Sequence, residues 1–316
     1  MSLLTRLKDA WRKNSDELLG LWNGALPDFV TARKPREVRG GVPVFCYHLV
    51  EADEFEADLQ FLAANGYRTL SADELVQYLA GTHALDGRAV MLTFDDGPRN
   101  FFDVAFPLLK RYGARAVAFI APGLHRDSGS GDVDDAEEAR PMTWQELQII
   151  HGSGLVQFQS HTFESRFIPK WPMEAALSGC DPSLEHKRRR APLPLLQDLE
   201  WSRSEIEKRL PGTRVEHLAF PMYVGSADAV DAARSLGFRA CYWGLMPGRG
   251  LNRSGDSPFY VSRLSDEFLR RLPGRGRISL RELGQVRLRR IREGREWRRK
   301  FPSPPGAASA DSEPVQ

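Results

Sequence analysis

An α/β chain built on a parallel sheet, either open or closed into a barrel, is what the sequence predicts, and three observations predict it. Six short apolar runs recur between Val42 and Gly244, rich in Val, Phe, Ile and Tyr. Stretches of helical periodicity separate them. Strict strand–helix alternation at this spacing makes right-handed βαβ crossovers, whose strands must lie parallel.

The runs are VPVFCY (42–47), AVMLTF (89–94), AVAFIA (116–121), LVQFQS (155–160), HLAFPM (217–222) and RACYWG (239–244). All are short enough to be strands buried on both faces. Helices are expected at 53–65, 72–80, 99–112, 143–151, 200–210 and 226–237. Two of them open on a capping box, Ser71 with Glu74 and Thr143 with Glu146. Two stretches break the rhythm. Residues 127–140 form an acidic, glycine-containing loop, and residues 165–199 carry five prolines and a KRRR run and read as an insertion. Long insertions at strand ends are where α/β enzymes tend to build specificity.

The balance of 44 Lys+Arg against 42 Asp+Glu, with 41% hydrophobic residues, is that of an ordinary globular protein. No apolar run is long enough to span a membrane. Cys46, Cys180 and Cys241 are too few and too scattered for a disulfide scaffold or a cysteine-rich zinc site. At the start, Leu3, Leu4, Leu7 and Trp11 recur at helical spacing, so a short amphipathic helix is expected. Lys8, Asp9, Arg12 and Lys13 interrupt the apolar stretch a secretory signal needs, which points to the cytoplasm.

From Arg281 to Lys300 nine Lys/Arg stand against three Glu in a helix-favouring segment. A solvated helix or contact with an anionic membrane surface follows, which would place the protein peripherally at the inner face. The charge is local and no aromatic-and-basic motif accompanies it, so no nucleic acid is expected. The expected organisation is therefore an amphipathic start and linker (1–41), a main domain (42–264) with the 165–199 insertion, a basic helical extension (265–300) and a disordered tail (301–316).

Polar groups cluster at the ends of three apolar runs. Asp95 and Asp96, in Thr93-Phe94-Asp95-Asp96-Gly97-Pro98, end a buried strand. Two neighbouring carboxylates there ionise together only at a high cost unless a cation or hydrogen bonds compensate them. Their side chains diverge, so one can bind a metal while the other faces a substrate. Gln159-Ser160-His161-Thr162 adds an imidazole, and imidazole with carboxylate is a common divalent-metal set. Ala219-Phe220-Pro221-Met222-Tyr223 ends a third strand in an irregular turn whose N–H groups suit an oxyanion.

Taken together, VPVFCYHLV, NGYRTLSADEL, TFDDGPRN, MTWQEL…SHTF and AFPMY resemble the polysaccharide deacetylase family, the NodB-homology domain of carbohydrate esterase family four. GLMPGRGLNRSGDSPFYVSRL resembles the end of its branch with a Phe-Pro-Tyr-Gly third motif. The resemblance covers about residues 42–264.

It implies a distorted, seven-stranded, TIM-like (β/α) barrel that hydrolyses N-acyl groups on amino sugars with a divalent metal, by expectation zinc, and takes a carbohydrate substrate. On that resemblance Asp95 is the general base, Asp96 a metal ligand and His161 the first histidine of the metal motif. Thr162 is the hydroxyl supporting the loop, and Tyr223 lies near the oxyanion donor, beside Pro221. The second motif histidine is Ser165 here, so Glu164 or His186 is the expected substitute. The late acid motif is not evident, and His48 is the better general-acid candidate than His217. Arg263 orients a carboxylate or forms a core-edge ion pair. The alternative is an inactive barrel kept as a carbohydrate-binding or scaffold protein.

Overall fold

The computed structural model describes residues 26–35, 37–38, 40–128, 140–165, 168, 194–246 and 248–300. The expected amphipathic start, most of the acidic loop, most of the 165–199 insertion with Cys180 and His186, and the tail from 301 lie outside the described residues.

Among the described residues eight parallel strands are present: β1 Val44–Tyr47, β2 Tyr67–Thr69, β3 Arg88–Asp95, β4 Ala116–Ile120, β5 Val156–Ser160, β6 His217–Ala219, β7 Ala240–Tyr242 and β8 Leu264–Ser265. Their order is β7-β6-β5-β4-β3-β1-β8, with β2 alongside the start of β3. The ring is drawn together by the chain before β8. Val261 N–H donates to Cys241 O at 3.0 Å, Trp243 N–H donates to Val261 O at 2.8 Å, and Leu264 pairs with Phe45 of β1. The sheet is thus a distorted (β/α) barrel, as expected.

Alternation along the strands sorts two cores. Val44, Met91, Val117, Phe119, Ala219, Ala240, Tyr242 and Val261 belong to an inner cluster. Their neighbours Phe45, Val90, Leu92, Ala118, Phe158, Leu218 and Cys241 belong to the outer cluster against the helices. Successive side chains of a strand point to opposite faces. Every second residue therefore enters the lumen, and continuing that count brings Cys46, Asp95, His161 and Arg263 inward.

The helices are α1 Asp28–Thr31, α2 Ala52–Ala64, α3 Ala72–Leu79, α4 Phe106–Tyr112, α5 Trp144–His151, α6 Leu195–Arg209, α7 Ala227–Ser235 and α8 Leu280–Lys300. Both expected capping boxes form. α3 packs Leu75, Val76 and Leu79 into the inner cluster and so closes the N-terminal end of the barrel. Three expectations are adjusted. β2 and β8 are too short to show an apolar run. The expected 99–112 helix begins with a wide π-turn at Phe101–Ala105, because Pro107 has no N–H to offer the carbonyl of Asp103. α6 begins at Leu195, so the last residues of the expected insertion belong to the barrel.

Candidate active site

The site is built where β3, β5 and the β8 approach end. Beyond Asp95 the chain turns left-handed, with φ 68° at Asp96 and 64° at Gly97, and this swings the Asp96 carboxylate out of the lumen. A side chain at 97 is excluded: a Cβ there would lie 2.8 Å from His125 Cε1 and 2.9 Å from Ile120 Cγ2. Asp95 is almost completely buried, whereas the Asp96 side chain is 48% exposed. Neighbours in sequence thus have opposite environments.

Arg263 explains how Asp95 tolerates burial. Its two terminal nitrogens donate to Oδ1 and Oδ2 at 2.7 and 2.9 Å, and its Nε donates to Trp243 O at 3.0 Å. The Cys46 thiol donates to Oδ2 at 3.4 Å. Burial alone would raise the Asp95 carboxyl, but the Arg263 guanidinium outweighs it, with His161 and His48 adding, and holds it well below the usual carboxylate range. The same pairing raises Arg263 against its own burial, and burial pushes the Cys46 thiol well up, so that it stays protonated.

His161 faces both acids. Its Nε2 lies 3.5 Å from Asp96 Oδ1 and 4.0 Å from Asp95 Oδ2, while its Nδ1 bonds Ala219 O at 2.9 Å. A carbonyl on Nδ1 places the proton there in the neutral ring and leaves the Nε2 lone pair toward the carboxylates. The His161 turn is held from behind. Ser202 of α6 bonds Ser160 Oγ at 2.7 Å and donates to Thr162 O at 3.2 Å, and Asp198 accepts Phe163 N–H at 2.8 Å.

The remaining expected residues take different places. His48, just after β1, packs edge-on to the Tyr223 ring at 5.8 Å, and that ring covers Arg263 at 5.5 Å. The Tyr223 N–H is not directed at a ligand. It donates to Phe220 O at 3.0 Å, closing the turn in which Met222 and Tyr223 both have positive φ. Tyr223 therefore enters the site through its ring rather than as the expected oxyanion donor. Thr162, Pro221 and Arg263 are all buried, and Arg263 orients the Asp95 carboxylate, the first of its two expected readings.

Ser165 stands four residues after His161 and donates to Asp96 Oδ1 at 3.2 Å. Glu164 does not complete a set with Asp96 and His161. Among the described residues no three His, Cys, Asp or Glu side chains are grouped to hold an ion. The donors that would hold one are Asp96 and His161, a carboxylate and an imidazole with its lone pair presented, and this pair fits a divalent ion. Cys46 and Asn100 were not anticipated from sequence. Asn100, buried within the quoted TFDDGPRN stretch, accepts Val50 N–H at 2.8 Å and donates to Val50 O at 3.1 Å, so it ties the His48 loop to the carboxylate loop.

Comparison with known proteins gives the family. The family model described as polysaccharide deacetylase matches residues 82–241, half of the chain, and the chain belongs to that family. A poly-beta-1,6-N-acetyl-D-glucosamine N-deacetylase of Staphylococcus epidermidis is 27% identical over 190 residues, covering 60% of this chain and 59% of its own. The Escherichia coli K12 enzyme of the same name is 28% identical over 123 residues, covering 37% of this chain and 18% of its own. The chain thus spans less than two thirds of these curated relatives.

Two solved structures share the fold. IcaB from Ammonifex degensii has a TM-score of 0.56 at 24% identity, covering 78% of this chain and 95% of that one. A de-N-acetylase from Aggregatibacter actinomycetemcomitans has a TM-score of 0.55 at 23% identity, covering 71% and 94%.

Proposed function

We propose that this protein hydrolyses the N-acetyl amide of an amino sugar, as the polymer deacetylases it resembles are named for doing. The observation that carries the reading is the division of labour within Asp95-Asp96. One acid is buried and pinned by Arg263, and its neighbour is exposed with the Nε2 of His161 facing it at 3.5 Å. Such a pair at the C-terminal rim of a parallel barrel is a catalytic arrangement.

Asp95, held ionised by Arg263, accepts the proton of the attacking water, and Arg263 keeps its carboxylate in one orientation. His48 gives a proton to the leaving amine. The Tyr223 ring screens the Arg263–Asp95 pair from solvent and so preserves its strength. Asp96 and His161 would hold a divalent ion, by expectation zinc, which when bound polarises the amide carbonyl and acidifies water. The alternative of an inactive barrel has less support, because the relatives that match are named as deacetylases.

The test is acetate release from a β-1,6-linked N-acetylglucosamine oligomer with metal supplied. The protein releases acetate and Asp95→Asn does not; no release from this oligomer or from N-acetylglucosamine precursors ends the reading.

A peripheral position on the inner, cytoplasmic face of the membrane belongs to the same proposal. The basic composition of α8 supports it, together with Leu280 and Leu288, which are 51% and 57% exposed. Flotation with vesicles containing anionic lipid tests it, and no binding at low salt rejects it. No described helix is long and apolar enough to cross a membrane.

A further inference from the structure

We propose that the ion of this site is held by only two strong protein donors, Asp96 and His161, and that Ser165 makes it readily exchangeable. The inference rests on the metal-dependent reading above and concerns this chain's departure from it.

His161 is fixed through Nδ1 on Ala219 O, with Nε2 3.5 Å from Asp96 Oδ1. At the place where a second imidazole is expected, Ser165 offers a neutral hydroxyl, a weak ligand for a divalent ion. Its hydroxyl also points at Asp96 Oδ1, at 3.2 Å, so it competes with an ion for the same oxygen. The turn is set by positive φ at Thr162 and Ser165, 63° and 54°, and histidine is among the residues that tolerate that region.

Among the described residues no neighbouring group makes up the deficit. Both Asp95 oxygens are engaged by Arg263 and one of them by Cys46. The His125 ring has a buried Nε2 without a hydrogen-bond partner, but it is packed beneath Gly97 with Nδ1 on Met142 O at 2.7 Å. Among the described residues a third His, Cys, Asp or Glu ligand is absent. Occupancy of the site therefore follows the surrounding metal concentration.

The test is zinc binding to the metal-stripped full chain, read by competition with a chromophoric chelator and without substrate. The wild type is expected to hold zinc with a Kd of about 1 µM or weaker, and Ser165→His on the order of 100-fold more tightly. Ser165→Ala should bind as well as the wild type or a few-fold better, because Asp96 Oδ1 is released. It also keeps the test open should the histidine variant unfold in a thermal melt. Nanomolar zinc binding by the wild type, or a tenfold loss in Ser165→Ala, overturns this inference alone. No zinc binding by wild type and Ser165→His alike overturns it together with the metal half of the proposed function.

Discussion

The two ends of the barrel carry nearly the same residue types and do different things. At the C-terminal end stand His161, Asp95, Asp96 and Arg263. At the N-terminal end stand His217, Asp73, Glu216 and Arg239, where Arg239 bonds Asp73 at 2.7 Å and Glu216 at 3.0 Å, and His217 Nε2 lies 3.7 Å from Asp73. The difference lies in what is left over.

At the lower end Asp73 also accepts from Gln157 at 2.8 Å, and the Gln157 side-chain carbonyl takes the Ala72 N–H, so these two groups seat α3 on the strands, while the buried His217 ring makes no hydrogen bond among the described residues. At the upper end a fully buried arginine satisfies one acid and leaves its sequence neighbour open beside an imidazole. Chemistry follows from that surplus. A histidine, an acid and an arginine in company are not enough.

The largest expected effects test this contrast. Asp95→Asn should lower acetate release on the order of 1,000-fold. It also leaves Arg263 buried without its charge partner, costing about 3 kcal/mol in urea unfolding, and Arg263→Met alone should cost about as much. The double variant Asp95→Asn with Arg263→Met should recover part of the stability and none of the turnover. Recovered turnover would show that Asp95 is not the base.

Next in size is the acid response of the upper end. Burial lowers His125 from 6.5 to about 4. The unfolded chain then takes up a proton that the folded one refuses, so stability falls as pH drops from 6.5 toward 4. The loss amounts to about 3 kcal/mol across that window. Urea midpoints at pH 7 and pH 4.5 should converge in His125→Gln; an unchanged pH dependence would assign the acid sensitivity elsewhere.

The smallest effect belongs to the lower end. The His217 ring, with Gln157 and Arg239 adding, holds Asp73 well below its ordinary 3.8 despite partial burial. A carboxyl lowered on folding stabilises above its unfolded value and loses that effect as pH falls below it. Asp73→Asn should therefore cost about 1 kcal/mol at pH 7 and less as pH falls from 3.8 toward 2, with turnover unchanged within about twofold. A large loss of turnover would make the lower cluster part of the site.

Much of this was legible from particular residues. The runs at 89–94, 116–121 and 155–160 had to be buried strands, and TFDDG and SHTF had to end two of them at one rim. Alternation alone sends Asp95 and His161 into the lumen once Met91 and Val117 are inside. The short β8, with Arg263 just ahead of it, carries no such signal, since two paired residues make no pattern. The Tyr223 N–H looked available in sequence because nothing local reveals that Phe220 O would accept it.

Periodicity and the spacing of polar residues at strand ends are local properties, and they determined the alternating parallel sheet and the strand ends at which the acids and the imidazole stand. Which arginine neutralises which acid is decided over 168 residues of chain, when the segment before β8 closes the ring between β7 and β1. The same closure separates His161, with its lone pair toward open carboxylate, from His217 under α3. Both histidines adjoin buried strands, and only the direction of the parallel sheet tells the working end from the sealed one.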